Sequence, residues 1–113
     1  MAQKVIRIVQ GDNLPQLSVV LTEDTTGDPF DLTGATVTLR FRAVGGANIL
    51  FARNAIIPAA QAINGQAYFV FTEADFNIAA GNYEGEIEAY WAQSDQRQTA
   101  FETVKFRVRE DFA

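Results

Sequence analysis

The sequence contains neither cysteine nor histidine. Without cysteine there are no disulfides, thiol nucleophiles or thiolate metal ligands. Without histidine, the commonest general base, the usual partner of a serine or cysteine nucleophile and the commonest zinc ligand are missing together. Methionine and tryptophan occur once each, proline three times. No apolar run approaches the roughly 20 residues that cross a bilayer as a helix. The opening Met-Ala-Gln-Lys-Val-Ile-Arg-Ile alternates like a strand and lacks the apolar core of a signal peptide. A lack of cysteine fits synthesis in a cytosol. Positive charge is also short: nine Lys and Arg stand against fourteen Asp and Glu, a formal net charge of −5. That balance opposes approach to a phosphate backbone or an anionic membrane. These gaps exclude most chemistry and leave binding, with neither nucleic acid nor a membrane as the expected partner.

What is present is an aromatic-rich chain of moderate size. At 113 residues it is expected to form one domain, 1–113, burying roughly two thirds of the surface its unfolded form exposes, enough for a core without covalent staples. Apolar residues make up 48% of it and include nine Phe and three Tyr, which argues against disorder and predicts an aromatic core.

The clearest period-two signal is at 35–43, where Val37, Leu39 and Phe41 fall on one side and Thr36, Thr38, Arg40 and Arg42 on the other. It predicts a half-buried central strand around which the rest is organised. Before it, 4–9 alternates Val5, Arg7 and Val9 against Lys4, Ile6 and Ile8 and ends at Gly11-Asp12-Asn13. After Pro15, Leu17, Val19 and Leu21 make the inward set of a second strand, with Ser18 and Val20 outward. The stretch 23–29, Glu-Asp-Thr-Thr-Gly-Asp-Pro, is the strongest turn signal in the chain. Phe30 and Leu32, bracketing Asp31, are expected to pack under one end of the domain.

Gly45-Gly46 ends the central strand. A short strand is read at 49–53, whereas 54–64 has no clear period; Pro58 followed by Ala and Gln permits a helix start, and a loop or short strand is the preferred reading. Asn64-Gly65 marks a tight turn into a strand at 67–71. Thr72, with Asp75 three residues on, predicts one capped helical turn that plugs Phe76 and Ile78 into the core. In 83–91, Gly85, Ile87, Ala89 and Trp91 oppose Glu84, Glu86, Glu88 and Tyr90; in 99–109, Val104, Phe106 and Val108 oppose Lys105, Arg107 and Arg109. About seven short strands separated by turn clusters, with no long amphipathic helix, predict an all-β, immunoglobulin-like antiparallel β-sandwich with one short helical turn before the sixth strand.

The outward charges suggest a register. With a turn centred near Gln96 and Arg97, Glu84 faces Arg109, Glu86 faces Arg107 and Glu88 faces Lys105. The acidic sixth strand then lies between the basic seventh strand and Arg40 and Arg42 of the third, which is the strand order of an immunoglobulin-like sheet. Each cross-strand pair is worth about 0.2 to 1 kcal/mol, so the pattern fixes order more than it stabilises. This face either pairs its own charges in solvent or docks a partner, and Arg40, Arg42 and Arg107 are its candidate contacts.

Tyr90, Trp91 and Phe101 cluster near the tip of the last hairpin and complete the candidate set. Adjacent Tyr90 and Trp91 cannot both point inward, and an exposed aromatic at a tip is a common anchor; capping the open end of the core is the other reading. Tyr83, following a capped turn, stands where a tyrosine corner would, and Gly85 occupies the position at which immunoglobulin domains carry a cysteine, so close packing has to substitute for a disulfide there. Glu23, Asp24, Asp28 and Asp31 gather four carboxylates of the kind calcium prefers, but their spacing departs from the twelve-residue calcium loop and turn chemistry explains them better. No catalytic, cofactor-binding or metal-binding residue is assigned, since nothing sets one pair among fourteen acids apart as catalytic.

Several short motifs carry a resemblance: Gly-Asp-x-Leu-Pro at 11–15, the acidic turn with Gly-x-Pro at 27–29, Leu-Thr-Gly-Ala-Thr-Val at 32–37, Gly-x-Tyr-x-Gly at 81–85 and the basic final strand. Together they resemble the N-terminal domain of phage baseplate upper proteins and related immunoglobulin-like virion domains, over most of the chain. The resemblance implies a structural component of a tailed-phage virion, in the baseplate, tail or head-associated parts. Such a component is made in the host bacterial cytoplasm, is present in several copies or as a homo-oligomer, docks other virion proteins and has no catalytic residues to carry over. Members usually continue into segments that hold receptor-binding proteins. Here the sequence ends after the last strand, so a free-standing adaptor or decoration module, or a domain cut at its boundary, is expected. The alternative function is a carbohydrate-binding module using Tyr90 and Trp91.

Overall fold

A computed structural model describes residues 5–12, 16–23, 25–100 and 103–112. Eight strands account for the regular structure: β1 (Val5–Val9), β2 (Leu17–Val20), β3 (Ala35–Ala43), β4 (Phe51–Asn54), β5 (Gln66–Phe69), β6 (Gly81–Trp91), β7 (Gln96–Thr99) and β8 (Val104–Arg109). The only helical pieces among the described residues are two 3₁₀ turns, Ala62–Asn64 and Glu73–Phe76. One sheet runs β1-β8-β6-β3-β4, with β7 also on β6, and a two-stranded sheet pairs β2 with β5. The sandwich is therefore lopsided, and the third, sixth and last strands of the sequence reading do lie side by side.

β3 shows why these residues form this fold. Its alternation puts Val37, Leu39 and Phe41 at full burial, while Thr36 and Arg42 are exposed and Thr38 and Arg40 half-buried. Phe41 sits at the centre of an aromatic cluster, stacking on Phe51 and Tyr83 (4.6 and 5.2 Å) and meeting Phe76 and Phe106 edge-on (5.8 and 5.0 Å). Such pairs add about 0.5 to 1.5 kcal/mol each beyond area burial. Ala67 and Phe69 of the smaller sheet close the core from the other side, and Leu32 plugs one end.

The predicted turns form for the expected reasons. The described residues of the 23–29 stretch form an exposed loop closed by Glu23 N–H to Asp28 O (2.9 Å) and Gly27 N–H to Glu23 O (2.8 Å). Thr72 N–H donates to the Asp75 carboxylate at 2.8 Å, so the helical turn is capped and Phe76 is buried. Asp75 also holds Arg53, tying β4 to that turn. Gly65 is required: its φ is +72°, and a Cβ there would stand 2.5 Å from Leu21 O. The 54–64 stretch is mostly loop, with an isolated bridge between Ile56 and Tyr68 before the first 3₁₀ turn.

Three expectations need correction. The sandwich is not purely antiparallel, because β1 lies parallel to β8, Val5 opposite Lys105 through Val9 opposite Arg109. The last strand is two strands rather than one. β7 pairs with Glu88 opposite Thr99, whereas β8 pairs with Gly85 opposite Val104, so three steps along β6 correspond to five on the returning chain and two extra residues are accommodated between. The hairpin turn lies at 92–95 instead of Gln96 and Arg97, with Asp95 taking the left-handed conformation (φ 53°) that the sequence offers no glycine for. The proposed pairings Glu84–Arg109, Glu86–Arg107 and Glu88–Lys105 are consequently displaced: Glu84 stands opposite Lys105, and Arg107 opposite Asn82.

A basic outer face as candidate docking site

The outer face of the larger sheet is assembled by parity. On β3, Arg40 and Arg42 alternate with the buried Leu39 and Phe41; on β8, Lys105, Arg107 and Arg109 alternate with the buried Phe106 and Val108. On β6, Glu84, Glu86 and Glu88 share the face, and Arg7 of β1 joins it opposite Arg107. Arg97 of β7 lies opposite Tyr90, its guanidinium 4.7 Å from the centre of that ring.

At the centre, charges are matched. Glu84 accepts from Arg42 (Nη2 at 2.7 Å and Nε at 2.8 Å) and from Lys105 (Nζ at 3.0 Å). The two cationic stems cover it, and only 8% of Glu84 remains exposed although it points outward. The hydrogen bond from Lys105, then that from Arg42, hold its carboxyl below the ordinary glutamate range. Glu88 is shared by Arg97 (3.4 Å) and Arg40 (3.7 Å). Glu86 is exposed, opposite Arg40, and has no ion-pair partner among the described residues. A shallow hollow of about 120 Å³ lies here, lined by Arg40, Arg42, Ile49, Glu84, Glu86 and Thr103.

Gly85 keeps the inner side of this row closed, because a Cβ there would collide with Leu39 Cδ1. The Tyr83 hydroxyl donates to Ala79 O, four residues back, which is the tyrosine-corner arrangement expected of it.

At the hairpin tip the predicted aromatics part company. Trp91 faces the interior side, half-buried; its indole N–H donates to Asp31 O (3.1 Å) and its ring meets Phe30 at 6.1 Å. Tyr90 faces outward, half-buried under Arg97, and donates its hydroxyl to Asp95 (2.9 Å). Phe101 lies outside the described residues. Of the four acids at 23–31, Asp24 also lies outside them. Asp31 spends Oδ1 on the N–H and hydroxyl of Thr33, the hydroxyl being the larger cause of its lowered pKa, and Glu23 accepts from Thr26. No group of three potential metal ligands occurs among the described residues.

The sequence reading placed Arg40, Arg42, Lys105, Arg107 and Arg109 on this surface and missed Arg7 of β1 and Arg97, which it put at the turn. The parity of Arg7 was legible; that β1 lies against β8 was not. Assembled, the face holds seven of the chain's nine Lys and Arg: Arg7, Arg40, Arg42, Arg97, Lys105, Arg107 and Arg109. Its strands carry three glutamates in return. A chain of net charge −5 thus turns a basic surface outward, while most of its acids lie in turns and at sheet ends.

The family model of the BppU N-terminal domain matches residues 1–112. No curated protein matches the chain. Among the described residues no helix is long and apolar enough to cross a membrane.

Proposed function

We propose, from the premise that this chain belongs to the BppU N-terminal domain family of phage baseplate upper proteins, that it serves the baseplate as a docking module, binding a neighbouring virion protein on the outer face of its larger sheet and performing no catalysis. The observation that carries this reading is the segregation of charge: seven of nine cations on one face of an acidic protein. Uncompensated charge of one sign on a flat surface steers and orients a partner of the opposite sign. A baseplate part is present in several copies, set by the symmetry of the particle. Carbohydrate binding through Tyr90 and Trp91 is not favoured, since the polar groups of both rings are engaged within the domain and Arg97 covers the tyrosine.

The test is electron microscopy of phage particles labelled with gold-conjugated antibody against this domain. Label at the distal end of the tail is expected; label confined to the capsid, or none, overturns the reading. Particles grown with Arg107→Glu should lose the label, while the purified variant keeps the wild-type circular dichroism spectrum. Undiminished incorporation would remove this face as the contact.

A further inference from the structure

β1 is an edge strand, and the described residues pair only one side of it. Gln10 N–H donates to Arg109 O at 3.0 Å, which sets the phase of the parallel ladder. Even-numbered residues of β1 therefore turn their backbone groups toward β8, and the N–H and C=O of Val5 and Arg7 point to the open edge. The Arg7 side chain stands on the outer face directly across from Arg107. Like charges so placed are unfavourable, and neither has an acidic partner among the described residues. Arg107 reaches only the neutral Asn82 Oδ1, at 3.4 Å. Val5 beside them is 42% exposed. A hollow of about 180 Å³ lies at this corner, lined by Arg7, Ile8, Val9, Arg107 and Arg109.

We infer that the open edge of β1 receives an extended acidic segment of the partner protein, which continues the sheet by hydrogen-bonding to Val5 and Arg7 and sets a carboxylate against Arg7, on the side away from Arg107. Added strands gain affinity from main-chain hydrogen bonds and specificity from alternate side chains, and here the side chain that relieves the Arg7–Arg107 pair is Asp or Glu. A second copy is a poor occupant, because antiparallel pairing of two β1 strands about Arg7 sets that arginine against its own counterpart. The inference rests on the docking role proposed for this face and adds the chemistry of what docks.

The probe is a synthetic seven-residue peptide alternating Glu with Val and Thr, with the same peptide carrying Lys for Glu as its counterpart, titrated into the isotope-labelled domain by NMR. The glutamate peptide should shift the amides of Val5 and Arg7 and their β8 neighbours, and should weaken by roughly tenfold in Arg7→Glu/Arg107→Glu, which should take up the lysine peptide instead. Arg7→Gln, a milder change with an unaltered thermal melt, should show an intermediate loss. Equal binding of the two peptides, no shift at millimolar peptide, or shifts at Ser18 and Val20 on the β2 edge would each overturn the inference. So would an oligonucleotide that competes as well as the glutamate peptide at the same amides. Peptide failure with gold label at the baseplate removes only the β1 edge; peptide success without that label removes the baseplate role and leaves the edge.

Discussion

Two rows of side chains, two residues apart along β8, meet the same problem differently. In the row through Arg42, Glu84 and Lys105, one carboxylate lies between two cations and is almost covered by them. In the row through Arg7, Arg107 and Asn82, two cations face each other and the third member is neutral. The first row is complete within the domain. Among the described residues the second is left incomplete, at the edge of the larger sheet. The two rows differ less in the number of their charges than in whether each charge has a partner within the described fold.

Both rows stand on the same core, so removing the core should abolish the distinction. Phe41→Ala, which deletes the ring four other aromatics touch, should cost about 3 to 5 kcal/mol in urea denaturation. Gly85→Ala attacks the matched row from beneath by pressing on the fully buried Leu39, with an expected loss of about 1 to 3 kcal/mol by the same measurement. Glu84→Gln removes the shared anion and turns the matched row into a second unmatched one. A loss of about 1 kcal/mol is expected, since both cations are partly exposed.

Acid should do the same reversibly. The carboxyl of Glu84 titrates lower in the folded domain than in the unfolded chain, so its contribution is complete above the unfolded value and is lost as pH falls through the folded one. Thermal melts of wild type and Glu84→Gln should therefore converge on acidification below the ordinary glutamate range, and a gap that stays constant would refute the assignment. The smallest effect runs the other way: Arg7→Glu completes the unmatched row, and should raise stability by about 0.5 kcal/mol, seen as a slightly higher melting temperature.

Much of this was legible in the sequence because parity is local. The alternation of Val37, Leu39 and Phe41, of Glu84, Glu86 and Glu88, and of Phe106 and Val108 needs only a period of two, and each residue faces the side its neighbours predict. Tyr83, the Thr72–Asp75 cap and the 23–29 turn were readable for the same reason. The register of the last hairpin and the partner of β1 were not. The four-residue turn ends on Asp95 in a conformation usually left to glycine, and the two extra residues between Thr99 and Val104 have no signature in composition; together they displaced every predicted charge pair on the last hairpin. The parallel approach of β1 to β8 joins residues one hundred positions apart, and nothing in Val5 to Val9 names that partner. One member of the candidate face, Arg7, was hidden by that one unseen contact.

The parallel pair also has a mechanical meaning. Because β1 and β8 run in the same direction, Val5 and Arg109 lie at opposite ends of their shared ladder. Tension applied between those two residues slides one strand along the other and strains all five register pairs at once, where an antiparallel hairpin pulled at its open end would yield bond by bond. By that geometry the fold should resist load along this ladder far better than across it.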